Sequence, residues 1–493
     1  MAVESQRLKT QFLAGITLNI LQNILKPRIL GILFFAAIAL FFALVRPFAP
    51  ALGVQGHVVI SSVLFTVGLW IFGSKWVPLS VASAVMLLLF LTSGLKYNVV
   101  FTGFTSRALW ILIPALYFGF ALSKTGLGKR LAYMVISFFK PSYLTLTISW
   151  VIIGILLSVL TPSISVRIAI VIPIAVATLE ICKIKGGTTG ASFLMLAAWG
   201  MVIIPGSGWV TGALWGPLAI AYFDATPGLQ GIITSGSWLK ALLFPSLLLS
   251  VLFILALYIF MKPREELKVN REKFKEEYRA LGPMSFAEKA TLVILVITFT
   301  LLVTTQLHHL PDVAIVLGAF ALLAVLGVIR AKDIGPAISW DLVIFLGAVM
   351  GLGTVFQESG LSSFLSNSLA PVIGILAVNP WLILFVALGF LFIWRFLDAA
   401  QLYATIPFLL PLLPILASNY GIHPLVVYAV FIITGNCFFL AYQQPFVVLA
   451  ESVAGRTVWP RNHLLKAGVI YFAVSLISLA MSIPYWILVG FIK

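Results

Sequence analysis

The chain has 493 residues, of which 61% are hydrophobic and only 9% are charged, and its formal net charge is +16. Soluble domains carry charge on about a quarter of their residues, so this composition excludes a water-soluble globule and indicates a polytopic membrane protein. The basic excess does not mark a nucleic-acid partner, because it is scattered through short loops between apolar runs and forms no basic domain.

A bilayer core needs about 20 apolar residues per helix. In chain order, crossings are expected near 29–45, 54–73, 76–95, 108–123, 190–223, 241–261, 290–311, 313–329, 342–357, 425–453 and 467–490. Between them, 141–182 and 379–417 are expected to enter and leave on one side as re-entrant hairpins, although two full crossings in each place would leave the same parity. No cleavable signal peptide is expected, since the first apolar run, near Ile29, is followed by more of the same.

With a cytoplasmic N-terminus, the inner loops hold Arg7, Lys9, Lys26, Arg28, Lys75, Lys124, Lys129, Arg130, Lys140, Lys183, Lys185, Arg330, Lys332, Arg456, Arg461 and Lys466. The outer loops hold only Arg46, Lys96, Arg107, Lys240 and Lys493. Because positive loops stay inside, the expected orientation is N-terminus in and C-terminus out, in the cell membrane. Segment 262–289 mixes Lys262, Arg264, Lys268, Arg271, Lys273, Lys275, Arg279 and Lys289 with Glu265, Glu266, Glu272, Glu276, Glu277 and Glu288, and reads as a solvated cytoplasmic helix. The domain scheme is then 1–53 for the N-terminus and first crossing, 54–261 for a first repeat, 262–289 for the linker and 290–493 for a second repeat.

The repeat is visible in matched motifs. Gly119 is followed by Leu-Ser-Lys-Thr-Gly-Leu at 122–127, and Gly353 by Gln-Glu-Ser-Gly-Leu at 357–361. Aligning Pro173 with Pro411 sets Ser163 opposite Gln401 and Ser165 opposite Tyr403. The same register sets Pro205-Gly206-Ser207-Gly208 opposite Gln443-Gln444-Pro445-Phe446. An odd number of crossings separates the halves, so they face opposite ways, as in many secondary transporters. Broken helices there leave backbone N–H groups that suit an anion, and such breaks are tolerated only where protein or a cavity satisfies them.

Thr161-Pro162-Ser163-Ile164-Ser165-Val166-Arg167 resembles the Thr-Pro-Ser-Asn-Thr-Ala-Arg hairpin tip of citrate and dicarboxylate exchangers in the divalent anion/sodium symporter family. Ala280-Leu281-Gly282-Pro283-Met284-Ser285 with Ala287-Glu288-Lys289, and Trp340-Asp341, extend the resemblance over about residues 60–490. The resemblance implies a scaffold domain, a transport domain with two re-entrant hairpins, and a homodimer. It also implies that the tips hold substrate carboxylates and that tips and broken helices hold sodium. The sequence departs from the family at those sites. Ile164 and Leu402 stand where the family's asparagine would be, and Gly206-Ser207 and Gln444-Pro445 replace its Thr-Pro breaks. Sodium coupling is therefore doubtful, and no other cofactor or metal is expected.

The candidate substrate-binding residues are Ser163, Ser165, Arg167, Gln401, Tyr403 and Thr405, with Gly206, Ser207, Gln443 and Gln444 at the helix breaks. An intramembrane charge such as Arg167 is costly and functional by default, and its alternative is a structural pair with an acid such as Asp398. Arg395 and Asp398, three apart, suit a pair on one helical face. The serines could instead bond back to helix carbonyls, and the glutamines need partners in any case. His57, His308 and His309 fall near predicted helix ends and read as solvated, while Cys182 and Cys437 read as packing residues. The chain has no Gly-rich phosphate loop, no His-Glu-x-x-His site and no Gly-x-Ser-x-Gly turn, so an enzyme is not expected. The reading is an all-helical, inverted-repeat secondary carrier of a small di- or tricarboxylate or sulfate-like anion, and a sodium-independent exchanger is one form of it. An anion channel and a non-transporting sensor are the alternatives.

Overall fold

The computed structural model describes residues 27–493 except 74–75, 264, 266, 268–270, 378, 399–400, 404 and 456–458. Arg7, Lys9, Lys26, Lys75, Arg264, Glu266, Lys268 and Arg456, named above for topology, lie outside the described residues.

Helices account for nearly all regular structure among the described residues. The first is α1 (Pro27–Leu44), followed by α2 (Val54–Phe72) and α3 (Leu79–Thr92). Two single turns lead to α4 (Arg107–Thr125) and α5 (Leu127–Phe138). Then come α6 (Tyr143–Leu160), α7 (Ile164–Ile181), α8 (Thr189–Ile203), α9 (Trp215–Asp224) and α10 (Ser235–Phe260). After the connector helix α11 (Arg271–Ala280) come α12 (Phe286–Val303), α13 (Asp312–Val325), α14 (Trp340–Met350) and α15 (Leu352–Glu358). The last elements are α16 (Leu361–Ala377), α17 (Pro380–Trp394), α18 (Leu413–Tyr420), α19 (Pro424–Gly435), α20 (Pro445–Ala454) and α21 (Arg461–Leu488).

Among the described residues nine helices are long and apolar enough to cross a membrane, or ten if α16 and α17 count as one bent span. The expectation of about eleven crossings includes runs whose helices are shorter. α3 and α13 have 14 residues each, about 21 Å at 1.5 Å per residue, against a core of about 30 Å. Two expected crossings are interrupted. The run 190–223 divides into α8 and α9 around Pro205–Gly208, and 425–453 divides into α19 and α20 around Asn436–Gln444. The runs expected as hairpins each hold two helices: α6 and α7 in the first, α17 and the segment Ile406–Tyr420 in the second.

Hydrophobicity alone does not decide what faces lipid here. Nearly every residue of α8 is buried, whereas α12 leaves Val293, Val296 and Ile297 exposed. α8 is therefore the centre of the molecule and α12 part of its rim.

The connector is less solvated than its charges suggested. Phe274 of α11 is fully buried, and α11 packs on α5. Arg271 donates to the carbonyls of Ser137 and Phe138, at 3.1 and 2.8 Å, where α5 ends. Buried Arg130 of α5 meets Glu288 at 2.6 Å and donates to the carbonyls of Leu281 and Gly282. Amphipathic α5 thus buries a stripe against α11 and shares a buried charge pair with the start of α12. On the same flank Lys124 reaches Asp333 at 2.5 Å, which holds that carboxyl below its usual range.

His57 is a correction. It is fully buried rather than solvated: Nδ1 lies 2.9 Å from the Gly53 carbonyl and Nε2 accepts from the Phe48 N–H at 3.1 Å. The ring closes the turn between α1 and α2, a role that depends on contacts no local pattern encodes. His308 and His309 lie past the end of α12, where the sequence put them.

Candidate functional site

The first tip is the three-residue link Thr161-Pro162-Ser163 between α6 and α7. Ser163 caps α7, its Oγ accepting from the Val166 N–H at 3.3 Å, and Thr161 Oγ1 accepts from the Ser163 N–H at 3.1 Å. The N–H groups of Ile164 and Ser165 precede the first intrahelical bond, so they are aimed out of the helix start. The tip packs on Gly119 in the interior of α4, where a Cβ would stand 2.7 Å from Thr161 Oγ1. Only glycine admits that approach, and it sets the tip at the level of a helix interior.

The second tip runs from Arg395 to Thr405, with Ala399, Ala400 and Ala404 outside the described residues. Asp398 organises it: its carboxylate accepts from the Leu402 N–H at 3.3 Å and from Thr405 Oγ1 at 2.5 Å. Thr405 Oγ1 also accepts from Trp394 Nε1 at 3.0 Å. Gln401 and Leu402 take left-handed backbone, φ 53° and 65°, a conformation that costs about 1–2 kcal/mol per residue. Side-chain bonds hold them there. Gln401 Nε2 donates to Gln444 Oε1, and Tyr403 O–H donates to Gln401 Oε1 at 2.9 Å. Tyr222 O–H of α9 secures the Tyr403 carbonyl at 2.7 Å.

Both tips face one cavity of about 310 Å³. Ser163, Ile164 and Ser165 line one part of it and Gln401 and Tyr403 another. Trp70, Ile71 and Leu79 from the α2–α3 region, Leu116 of α4, and Leu342 and Phe345 of α14 supply a facing wall, and Leu214, Pro445 and Phe446 complete it from the two breaks.

The breaks are held by donors from elsewhere. Arg167 is fully buried, and its Nη2 donates to the Gly212 carbonyl at 2.8 Å. Gly206 lies against the same guanidinium, where a Cβ would stand 2.7 Å from Nη1. Arg395, equally buried, donates to the carbonyls of Asp398 and Gln443 and lies 3.4 Å from Asp398 Oδ1. Indole N–H groups take further carbonyls: Trp238 bonds Ser207, Trp199 bonds Phe446 and Trp209 bonds Ser158, at 3.1, 3.0 and 2.8 Å. Trp215 donates to Asn436 Oδ1 at 3.4 Å. In a low-dielectric interior an unpaired carbonyl costs several kcal/mol, so these donors are what allow the helices to stop in mid-protein.

Ser163, Ser165, Gln401 and Tyr403 thus converge as the sequence register anticipated, and Gln444 touches Gln401 from behind. Three other candidates point elsewhere. Arg167 lies along the first break and is not among the residues lining the cavity, Thr405 is spent on Asp398 and Trp394, and Gln443 is engaged with Arg395. Gly206 and Ser207 lie within the first break. The Arg395–Asp398 pair forms as the three-residue spacing suggested. The four tryptophans were not foreseen, because an indole N–H serving a carbonyl up to 247 positions away leaves no local signal. Phe345, Leu116 and Trp70 were missed for the same reason.

The comparisons agree with this architecture. The chloroplastic dicarboxylate transporter 1 of Spinacia oleracea is 26% identical over 296 residues, which is 59% of this chain and 52% of that protein. An uncharacterized transporter of Haemophilus influenzae is 28% identical over 301 residues, or 59% of this chain and 62% of that one. The chain thus spans between half and two thirds of the length of these curated relatives. Among solved structures, the Alcanivorax borkumensis YdaH transporter superposes with a TM-score of 0.55 at 17% identity, covering 82% of this chain and 89% of that one, which is a likeness of fold. The model of the sodium:sulfate symporter transmembrane region matches residues 10–492. The chain belongs to the sodium:sulfate symporter transmembrane-region family.

Proposed function

We propose that this protein is a secondary carrier that moves a small organic or inorganic anion across the cell membrane by alternating access, without coupling to sodium. The observation that carries this reading is the convergence of Ser163 and Ser165 with Gln401 and Tyr403 on one cavity between two broken helices. A helix start with free N–H groups and two hydroxyls suits an oxyanion, and two nearby guanidiniums, Arg167 and Arg395, bias the potential the same way. The name of the spinach relative supports carboxylates as the anion class. The relatives bear transporter names and give no support to a channel or a sensor.

Two features favour sodium independence. Ile164 and Leu402 bring no side-chain oxygen to the tips. The carbonyls of Gly212, Gln443, Ser207 and Phe446, which in other broken-helix carriers would face a coupling cation, already accept from guanidinium or indole N–H groups. A second cation beside Arg167 or Arg395 would meet direct repulsion.

The tip's position against Gly119, inside α4, supports a re-entrant first hairpin. The inside location of most basic loops supports a cytoplasmic N-terminus and external C-terminus. By resemblance the working unit is a homodimer.

The test is uptake of labelled succinate, malate and sulfate into proteoliposomes loaded with the same anions. Saturable uptake accelerated by internal anion is the expected result. Large single-channel currents, or no flux of any of the three, would overturn it.

A further inference from the structure

Two cavities are lined in succession by the same pair of segments. Leu342 and Phe345 of α14 line the 310 Å³ cavity at the tips, and Gly353 and Gln357 of α15 line a second cavity of about 520 Å³. The second hairpin follows the same course, with Gln401 and Tyr403 at the first cavity and Leu410 and Pro411 at the second. Thr226, Ser363, Ser366 and Asn367 also line the larger cavity, and among the described residues no charged one does. Hydrogen-bonding side chains gathered round a void in an apolar fold indicate water there. A passage for an ion must also release it, and polar groups without fixed charge meet that need.

The cavities lie towards opposite ends of the helices. Trp70 and Leu79 of the smaller one stand where α2 ends and α3 begins, and there Asp341 accepts from the Ser80 N–H and hydroxyl at 2.8 and 2.6 Å. Lys124 shares that end, bonding Asp333 and the Val328 carbonyl between α13 and α14. The larger cavity is lined by Gln357 near the end of α15 and Thr226 just past α9, at the end where α4 and α13 begin.

Between the cavities the chain is tightly closed. A Cβ on Gly353 would stand 2.8 Å from Ala225 Cβ and 4.0 Å from Leu410 Cδ1. Beside this constriction Arg107 Nε, at the start of α4, donates to Asp224 Oδ2 at 2.8 Å, and its Nη1 lies 3.8 Å from Asp312 Oδ2. Asp224 ends α9, and α9 is bound to the second tip through Tyr222. A displacement of the tips therefore pulls on Asp224.

We infer that the larger cavity is the chamber through which the anion passes at the Arg107 face, shut off from the tips by Gly353, Ala225 and Leu410, and that the Arg107–Asp224 pair latches this shut state. The inference rests on the alternating-access reading and assigns residues to its second doorway. Both partners of the latch are about one third exposed. Such a pair biases a two-state equilibrium by about two- to fivefold, which suits a latch that opens in every cycle.

Cysteine accessibility in proteoliposomes of the full-length protein tests this, because the native Cys182 and Cys437 are both buried and give little background. Ser363→Cys, at an exposed position of the chamber, is expected to react readily with a membrane-impermeant maleimide applied at the Arg107 face. Leu410→Cys, at the buried constriction, should react slowly, and about two- to fivefold faster when Arg107→Gln or Asp224→Asn is added. Lys124→Gln, at the opposite end of α4, should leave that rate unchanged. Equal Leu410→Cys rates with and without the latch variants overturn the latch, and an unreactive Ser363→Cys overturns the chamber. Reaction of Cys182 and Cys437 would reveal a latch variant that has unfolded, and the other variant then decides. Succinate counterflow should fall severalfold once Ser363→Cys is fully modified, and unchanged counterflow overturns the route. Absence of counterflow by the wild-type protein overturns the carrier reading instead, while the labelling rates still decide the gate.

Discussion

Arg167 of α7 donates to the carbonyl oxygen of Gly212 at 2.8 Å, so a fixed cation fills an oxygen freed by a broken helix. Arg395 does the same to Gln443 at the other break. Gln443 closes the short turn Ala441–Gln443, so Arg395 lies at a carbonyl end where the dipole is negative, while Gly212 lies in the bend that precedes α9. The charges are therefore steadied by backbone, and they influence the tips through the field.

That arrangement changes what replacing Arg167 should do. At an effective dielectric of about 20, a fixed charge roughly 10 Å from a carboxylate is worth on the order of 1.5 kcal/mol. Arg167→Met should weaken carboxylate binding by tenfold or more, read by calorimetry. The variant should also unfold at a lower temperature, because the Gly212 carbonyl loses its donor. Unchanged affinity would remove Arg167 from the binding account.

The two serines of the first tip should separate cleanly. Ser163 caps α7 and Ser165 does not. Ser163→Ala should cost about 1 kcal/mol of stability, seen as a lower unfolding temperature. Ser165→Ala should leave the unfolding temperature in place and weaken anion binding severalfold. The opposite pattern would mean that the tip presents Ser163, not Ser165, to the anion.

Arg130 and Glu288 form the buried pair that joins α5 to the start of α12. Removing one partner leaves a buried charge alone, at about 3–5 kcal/mol. Arg130→Met should therefore lower the unfolding temperature markedly, and Arg130→Met with Glu288→Met should recover most of the loss. A double variant no more stable than Arg130→Met would show that the pair is not the source of the effect.

His423 gives the protein a pH response outside the spans. It caps α19 through Nδ1, accepting from the Leu425 N–H at 3.2 Å, and stacks on Phe491 at 4.3 Å. Burial pushes its imidazole down to about 4. The unfolded chain takes up that proton near pH ~6.5 and the folded one only near about 4. Stability from this group is therefore complete above pH ~6.5 and falls as the pH drops towards about 4. His423→Asn, which keeps a capping acceptor, should flatten unfolding temperature over that window. An unchanged slope would assign the response to other groups.

Much of the helix layout was legible because uncharged runs and helix breakers are local signals. The run 108–123 became α4 (Arg107–Thr125), and 342–357 became Trp340–Glu358. Pro205 with Gly206 and Gly208 announced the first break, since proline withholds a donor and glycine favours no helix. Ser163, Ser165, Gln401 and Tyr403 stood out as polar residues at matched breaks in apolar runs, and the structure brings them to one cavity. Side-chain direction was not legible. Arg167 sits two residues beyond Ser165, yet it follows α7 to the far side, a choice made by where Gly206 leaves room. Helices α5 and α16 were not anticipated: Lys129 and Arg130 placed α5 among the inner loops, and 361–377 fell between the crossing 342–357 and the segment 379–417. The apolar wall at Phe345 depended on which faces of α2 and α14 meet, which hydrophobic patterning leaves open when every face is apolar.

The central claim is that two hairpin tips carry an anion with fixed guanidiniums where a coupling cation would otherwise be needed. Its most direct test is counterflow of labelled succinate into succinate-loaded proteoliposomes, with external sodium replaced in steps by choline. The account predicts a rate that stays within about twofold across the whole replacement, as no step binds sodium. Uptake that rises steeply with sodium and vanishes without it would contradict it.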